Sequence, residues 1–164
     1  MLQDELIYRI RQSFGFEPTL DQNHALTTFA AFMTDRDDRA VMILRGSAGT
    51  GKTSLSGAIV RTMLQLKQRV VLLAPTGRAA KVFAINSDTP ASTIHRRIYR
   101  QKSLEGNFSL APNMYADTLF MVDEASMIAN EGLQGSVFGT GCLLDDLVQF
   151  VYSGRNCRLM LIGD

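Results

Sequence analysis

An octapeptide in the first third of the chain limits its fold more than any other feature. Residues 46–53 read GSAGTGKT, which matches the pattern G-x-x-x-x-G-K-[ST]. An apolar run at residues 40–45 precedes it, and an amphipathic stretch at residues 53–67 follows it. This order predicts a strand, a glycine-rich turn and a helix, which together form one unit of a parallel α/β sheet.

Three further apolar runs predict similar strands later in the chain. None shows the polar alternation of a half-exposed strand, so each is typical of a strand buried on both faces of a parallel sheet. Helical segments separate the runs, and the alternation predicts a doubly wound, mostly parallel α/β domain with helices on both faces. The strands are expected at residues 40–45, 70–74, 118–122 and 158–162, and the helices at residues 3–13, 20–33, 53–67, 77–85 and 143–152.

The composition excludes several other classes of protein. With 164 residues, 46% of them hydrophobic and 20% charged, the chain is able to bury a core, which excludes disorder throughout. No apolar run approaches the roughly 18–20 residues of a membrane helix, and the N-terminus lacks the apolar segment of a secretory signal. Cys142 and Cys157 make neither a disulfide framework nor a metal-site spacing. We therefore expect a cytoplasmic protein with reduced thiols and no membrane partner.

The net charge of +1 conceals an uneven distribution of charge along the chain. From Arg61 to Lys102 there are nine basic side chains and one acidic side chain, a net charge of +8 that is offset by −7 elsewhere. A basic middle third in a nearly neutral protein indicates a surface that binds a polyanion. The alternative is a run of solvated charges on two helices, which is what we expect for Arg61 and Lys67.

The glycine-rich turn has the residue types that hold phosphate groups. Its glycines let successive backbone N–H groups point at phosphate oxygens, and the start of the helix adds partial positive charge. Lys52 is placed to reach the outer phosphates of a nucleotide, and the Thr53 hydroxyl to bind Mg²⁺. A chance glycine-rich turn is the alternative. The residues expected at this site are Gly46, Ser47, Ala48, Gly49, Thr50, Gly51, Lys52, Thr53 and Ser54.

An acidic pair follows the third apolar run. Asp123 and Glu124 come directly after Val122, at the end of the predicted strand. Asp123 is expected to hold Mg²⁺, directly or through water, and Glu124 to orient and polarise an attacking water. Taken alone, an Asp-Glu pair more often supplies negative charge to a helix N-terminus. Together with Lys52, the pair indicates a site of phosphate transfer.

Five segments together resemble the successive motifs of one protein family. GSAGTGKTS, APTGRAA, STIHRRIY, VDEASMI and LIGD have the order and spacing found in superfamily 1 DNA helicases of the RecD-like and Dda-like branch. The resemblance runs from Gln22 to Asp164, and APTGRAA and STIHRRIY exclude most other P-loop families. It implies a RecA-like P-loop NTPase domain that uses ATP and Mg²⁺ and binds single-stranded DNA.

The resemblance also implies roles for residues outside the glycine-rich turn. Gln22 resembles the family's adenine-reading glutamine, although it also stands three residues after Thr19, which is the spacing of a helix capping box. Asp164 resembles the start of the motif that links the state of ATP to DNA. Two segments are similar to motifs that contact DNA, and for the histidine a purely structural role is the alternative. Their residues are Thr76, Gly77, Arg78, Thr93, His95 and Arg96.

By the same resemblance, residues 1–164 form a single, truncated N-terminal motor domain, with residues 1–35 holding the N-terminal helices and the adenine-reading motif. The insert at residues 101–116 lies where relatives carry a strand-separating pin, and it predicts a small hairpin or an ordered loop. Residues 130–141 contain four glycines and are expected to form a mobile connection. The missing partner is a second RecA-like domain, which supplies an arginine finger.

The function that the resemblance implies is that of an ATP-dependent DNA helicase motor. Such a motor moves along single-stranded DNA and unwinds duplexes, and by resemblance alone it moves 5′ to 3′. Two alternatives use the same residues: a P-loop ATPase that does not act on DNA, and a module that binds nucleotide and DNA without turnover.

Overall fold

The computed structural model describes residues 2–47, 51–101, 106–128 and 138–164, and these contain six α-helices and seven strands. The helices are α1 (Leu2–Phe14), α2 (Leu20–Met33), α3 (Lys52–Gln65), α4 (Gly77–Ser87), α5 (Ile94–Ile98) and α6 (Leu143–Ser153). The strands are β1 (Val41–Arg45), β2 (Arg69–Ala74), β3 (Ala91–Thr93), β4 (Tyr99–Gln101), β5 (Phe108–Leu110), β6 (Thr118–Val122) and β7 (Arg158–Gly163).

Five of the strands form one parallel sheet in the order β1–β7–β6–β2–β3. Because the strands are parallel, all their carboxyl ends lie at one edge, where connecting loops build the binding sites of such folds. The arrangement confirms the predicted α/β class and is consistent with a RecA-like P-loop domain. The four predicted strands are present within one residue at each end, and β3 was not predicted because its three residues, Ala-Ser-Thr, form no apolar run.

The side chains of β6 show why helices pack on both faces of the sheet. All five β6 residues are buried, as predicted, and they alternate between two cores. Leu119 and Met121 join α1, α2 and α3 on one face. Phe120 and Val122 join α5 and α6 on the other face. The core therefore consists of two layers divided by the sheet, which fixes the strand ends relative to the helices.

The strand β1 corrects one prediction from the sequence. Its side chains alternate between exposed and buried, and Val41 and Ile43 retain 41% and 62% of their accessible surface. The prediction of burial on both faces was wrong for this strand because β1 lies at an edge of the described sheet, with β7 on one side. Met42 and Leu44 carry the packing against the helices of the first core.

A small antiparallel sheet accounts for part of the predicted insert. Strands β4 and β5 pair with Tyr99 opposite Leu110, so the hairpin begins two residues before the predicted start at Gln101. Residues 102–105 lie outside the described residues, as does most of the connection predicted at residues 130–141. Cys142 is half-buried and Cys157 is buried. A search of the described helices finds none with the length and hydropathy of a membrane span.

Candidate functional site

Two of the predicted motifs meet in a cleft at the carboxyl edge of the sheet. The cleft has a volume of about 530 Å³ and is bounded by the start of α3, the end of β7 and the loop after β6. Among the predicted residues, its lining includes Ser47, Gly51, Lys52, Thr53, Ser54, Asp123, Glu124 and Asp164. Ala48, Gly49 and Thr50 lie outside the described residues.

Lys52 is the first residue of α3, and its side chain crosses the cleft to the ends of two strands. Its ammonium donates hydrogen bonds to the carbonyl oxygen of Gly46, to the carbonyl oxygen of Gly163 at 3.3 Å and to Asp164 Oδ1 at 2.8 Å. Thr53 and Ser54 follow it at the exposed first turn of the helix. The backbone N–H groups of a first helical turn and the helix dipole favour an anion at such a position.

Gln22 connects the second helix to the glycine-rich turn. Its Oε1 accepts from the Thr19 N–H at 2.9 Å, and its own N–H donates to Thr19 Oγ1 at 3.1 Å, which confirms the capping box. Its Nε2 also donates to the Gly51 carbonyl oxygen at 3.3 Å. Gly51 has a φ of 89°, and a Cβ there would overlap the Gln22 amide, so the contact requires glycine.

A second cleft of about 360 Å³ lies beside the first, between α2 and β1. Gln22, His24, Ile43, Gly46 and Lys52 are among the residues that line it. Gly51 and Lys52 line both clefts, so the two spaces adjoin at the start of α3.

The acidic pair lies where the loop leaves β6. The Asp123 N–H donates to the Leu73 carbonyl oxygen at 3.0 Å, and Asp123 Oδ1 accepts from the Glu124 N–H at 2.9 Å. Burial raises the pKa of Asp123, while the Glu124 N–H and the charge of Lys52 lower it. Glu124 is exposed and has a φ of 54°, an uncommon left-handed conformation that turns the chain into a 3₁₀ turn at Ala125–Met127.

The donor groups in the cleft suit Mg²⁺ bound together with phosphate. No group of three or more His, Cys, Asp and Glu side chains able to hold a metal occurs within the described parts of the chain. Mg²⁺ is usually held by one or two carboxylates, with water and substrate phosphates completing its shell. The Asp123 carboxylate and the Thr53 hydroxyl, both in the cleft, fit that pattern.

The two segments predicted to contact DNA begin helices at the ends of neighbouring strands. Thr76 Oγ1 accepts from the Ala79 N–H at 3.1 Å and caps α4, and Thr93 Oγ1 accepts from the Arg96 N–H at 3.2 Å and caps α5. Because β2 and β3 are paired and parallel, both turns lie at the same edge of the sheet. Arg78 and Arg96 are exposed there, together with Gly77.

His95 is partly buried in a group of aromatic rings. Its ring centroid lies 4.7 Å from that of Phe138, in an edge-to-face arrangement, and 5.7 Å from that of Tyr99. Burial lowers the pKa of His95 from its ordinary value of 6.5, so the ring is largely neutral at pH 7. The structural role considered for His95 is therefore real, and a DNA contact would use the part of the ring that remains accessible.

The family described as "AAA domain" matches residues 20–137, which is most of the chain. The chain belongs to this AAA domain family. The ATP-dependent RecD2 DNA helicase of Deinococcus radiodurans is 32% identical to it over 125 residues, which cover 76% of this chain and 15% of RecD2. The predicted membership in the RecD-like branch of superfamily 1 helicases is thereby confirmed.

Two other relatives also match parts of the chain. The uncharacterized protein MJ1519 of Methanocaldococcus jannaschii is 31% identical over 137 residues, covering 75% of this chain and 12% of that protein. The multifunctional conjugation protein TraI of Escherichia coli is 34% identical over 95 residues, covering 54% of this chain and 5% of TraI. The AAA domain described here therefore spans a small fraction of the length of these relatives.

The basic segment of the AAA domain divides into three parts. Arg78 and Arg96 lie at the carboxyl edge of the sheet, whereas Lys67 and Arg69 lie at the opposite edge, where β2 begins. Arg61 is exposed on α3, as expected, and its guanidinium also donates to Ser13 Oγ and to the Ser13 carbonyl oxygen, both at 2.9 Å. The charge total therefore overstates the part of this segment that faces a polyanion.

The sequence analysis did not identify Asp146, an acidic residue on α6 that is 2% exposed. A signal was present, because Asp146 stands three residues after Leu143 and four before Phe150, on the apolar face of α6. An acid on such a face indicates a bonded partner. The Tyr99 hydroxyl is one such partner, since it donates to Asp146 Oδ2 at 2.5 Å.

Proposed function

We propose that this AAA domain binds ATP with Mg²⁺ in the cleft at the carboxyl edge of the sheet. The observation that supports this proposal is the convergence of Lys52, Asp123 and Glu124 on one cleft, from two distant parts of the sequence. Lys52 donates to two carbonyl oxygens and one carboxylate. A phosphate group would compete for the same ammonium with a stronger negative charge.

The residues of the cleft have separate roles in this proposal. In this proposal the backbone N–H groups of the glycine-rich sequence would bind the phosphates, and Lys52 would offset the charge of the outer ones. Thr53 and Asp123 would hold Mg²⁺, which when bound offsets charge on the phosphate oxygens. Glu124 would orient the attacking water and accept its proton. The proposed nucleotide-binding residues are Gln22, Gly46, Ser47, Ala48, Gly49, Thr50, Gly51, Lys52, Thr53 and Ser54.

We propose that adenine occupies the second cleft, beside Gln22. The Gln22 amide has already formed one bond through Oε1 and one through Nε2. An amide oxygen has a second lone pair, and an amide nitrogen has a second hydrogen. Gln22 is therefore able to cap α2 and to contact a base edge at the same time, so that the two roles are compatible.

We further propose that single-stranded DNA lies across the turns after β2 and β3. The residues that would contact it are Thr76, Gly77, Arg78, Thr93, His95 and Arg96. Hydroxyl, guanidinium and backbone N–H groups suit phosphates, and contacts of this kind carry no sequence preference. Asp164 contacts Lys52, which gives it a direct path by which phosphate binding would alter the end of β7.

In a longer protein, this domain would drive translocation along single-stranded DNA and unwinding of duplexes. That proposal rests on the likeness to RecD2 and on the two exposed turns at the edge of the sheet. An ATPase that does not act on DNA would have the same cleft, and so would a domain that binds without turnover. The two alternatives differ from the proposal in the effect of single-stranded DNA on the rate of ATP hydrolysis.

The proposed nucleotide site is tested by replacing Lys52 with alanine. Loss of a charge-assisted bond to phosphate should weaken Mg-ATP binding about 10–150-fold. Isothermal titration calorimetry of wild type and Lys52→Ala measures this difference. Lys81→Ala is the control, because Lys81 is an exposed lysine on α4 that does not line the cleft. Equal affinities of wild type and Lys52→Ala would refute the assignment of the site.

A further inference from the structure

A buried carboxylate joins three separate parts of the chain outside the nucleotide cleft. Asp146, on α6, accepts the Tyr99 hydroxyl at 2.5 Å through Oδ2. The same oxygen accepts from the Thr140 N–H at 3.1 Å, and Oδ1 accepts from Thr140 Oγ1 at 2.8 Å. Asp146 therefore fixes the start of β4 and the segment at residues 138–141 to α6.

The groups held by Asp146 form the surroundings of His95. The Tyr99 ring lies 5.7 Å from the His95 ring and 5.3 Å from the Phe138 ring. The Phe138 ring centroid lies 4.7 Å from that of His95, and the Phe138 ring also stacks on Phe108, with a centroid distance of 4.8 Å. Both Tyr99 and Phe138 are thus in contact with His95. Tyr99 itself donates to Asp146, and Phe138 stands two residues before Thr140, which also donates to Asp146.

The packing around Gly139 leaves little freedom for this arrangement to shift. The Gly139 N–H donates to the Phe108 carbonyl oxygen at 2.9 Å. A Cβ at Gly139, where φ is 47°, would overlap the Asp146 carboxylate and would lie 2.8 Å from the Tyr99 ring. Residues 138–141 are consequently held between the hairpin and α6, and the Phe138 ring is held with them.

An apolar side chain at position 146 would pack on α6 but would not orient its neighbours. Burying a carboxylate is unfavourable unless its oxygens are hydrogen-bonded, and an apolar residue in its place would leave the groups that donate to it without this acceptor. The three bonds to Asp146 instead fix the rotation of the Tyr99 ring and the position of Thr140. The hydrogen bonds that orient Tyr99 and Thr140 are what an apolar residue at position 146 could not supply.

We infer that Asp146 is a positioning residue for the DNA-binding face: through Tyr99 and Phe138 it fixes the orientation in which His95 meets single-stranded DNA. This inference rests on the proposed DNA face, because His95 contacts DNA only if that proposal holds. It adds a residue on a different helix, remote in sequence from both turns, to those that determine DNA affinity.

The experiment compares Asp146→Ala with Asp146→Asn. Alanine removes all three hydrogen bonds, whereas asparagine is able to keep them, since its oxygen accepts from Tyr99 and its amide donates to the Thr140 hydroxyl. Asp145→Ala is the matched control, because Asp145 is an exposed acid in the same turn of α6. NMR reports the imidazole Hε1 signals, of which there are two, since the chain contains two histidines. His24, exposed on α2, serves as the internal reference.

The inference predicts a specific pattern across these variants. Asp146→Ala should shift the His95 signal but not the His24 signal, and it should weaken binding of a fluorescein-labelled oligothymidine about fivefold or more, the loss expected for one base contact. Asp146→Asn should restore both properties, and Asp145→Ala should change neither. Calorimetric affinity for Mg-ATP should be the same in all three variants.

The outcomes separate failure of this inference from failure of the proposed function. If wild type does not bind the oligothymidine, and adding it leaves the His95 signal in place, the DNA face itself is refuted and this inference with it. If wild type binds while Asp146→Ala retains its affinity and its His95 signal, Asp146 is purely structural. Tyr99→Phe removes only the hydroxyl that donates to Asp146, and it replaces Asp146→Ala in the experiment if Asp146→Ala does not fold. A Tyr99→Phe variant identical to wild type in both readouts would also overturn the inference.

Discussion

Lys52 illustrates how one side chain unites parts of the sequence that lie far apart. It reaches Gly46 in its own turn and Gly163 and Asp164 at the end of β7. Its side chain retains 18% of its accessible surface, so its charge is only partly screened by solvent. Binding of phosphate at Lys52 would therefore change the hydrogen bonds at the end of β7 directly, with no need for a helix to move.

The two carboxylates of the cleft should separate by role. Asp123→Asn should weaken the Mg²⁺-dependent part of ATP binding, because it removes the charged oxygen ligand. Glu124→Gln keeps the size and hydrogen bonding of the side chain but loses the negative charge that polarises water. We expect it to leave ATP binding nearly intact and to lower the ATP turnover of a longer protein that contains this domain by roughly 10²–10⁴-fold.

Titrations with and without Mg²⁺, followed by single-turnover hydrolysis, distinguish the two variants. Wild-type turnover in Glu124→Gln would show that Glu124 serves only to supply charge at the following turn.

His95 should make the stability of the domain depend on pH. Because burial lowers its pKa in the folded state, the unfolded chain binds a proton near pH 6.5 that the folded chain does not bind. The free energy of unfolding should therefore decrease as the pH falls below 6.5, towards the lowered pKa of the folded state. Urea unfolding at about pH 8 and about pH 5.5 measures the change. It should be smaller in His95→Asn than in wild type, and His24→Asn should behave like wild type.

At the scale of the element, the capping box of α2 and the proposed adenine contact share one side chain. Thr19→Ala and Gln22→Ala should each lower the free energy of unfolding by about 0.5–2 kcal/mol, because each removes part of the cap. Only Gln22→Ala should also reduce the preference for ATP over GTP, by about 2–10-fold, the value of one hydrogen bond. Calorimetry with both nucleotides and urea unfolding test the pair. If the preference is unchanged in Gln22→Ala, Gln22 is a cap alone.

The sequence predicted the elements that carry strong local signals. The bounds of α2 match the prediction, and its start was marked by the capping box. The bounds of β6 also match, because its residues form a short, nearly continuous apolar run. The strand β3 has no such signal. Its three residues are in a strand conformation because they pair with β2, and not because of a local sequence pattern. The exposure of β1 depends on its place in the sheet, which no local pattern encodes.

The sequence likewise predicted only part of the candidate site. Strand ends of a parallel sheet meet at one edge, so the proximity of Lys52 to Asp123 follows from topology. Topology does not predict the hydrogen bond from Arg61 to Ser13 or the network around Asp146, because each depends on how elements distant in sequence pack together. Side-chain partners between elements distant in sequence are the part that required the structure.

At the scale of the whole molecule, one edge of the sheet carries both proposed binding sites. The nucleotide cleft lies at the ends of β6 and β7, and the turns proposed to bind DNA lie at the ends of β2 and β3. Since β6 pairs directly with β2, the two sites are adjacent through the sheet itself. Lys67 and Arg69 lie at the opposite edge, roughly 16 Å away along β2, and replacing them provides a control for replacing the basic residues at the turns.

The most direct test of this account is the salt dependence of binding to a fluorescein-labelled oligothymidine, measured by fluorescence anisotropy. Two or three phosphate contacts predict a slope of log K against log salt of about −1.5 to −2 for wild type. Arg78→Ala with Arg96→Ala should flatten this slope by about one unit or more and leave ATP affinity unchanged. Lys67→Gln with Arg69→Gln, at the opposite edge, should leave the slope as it is. Equal weakening by both pairs would contradict the account, because the basic segment would then act as a diffuse field and not as a DNA site at one edge of the sheet.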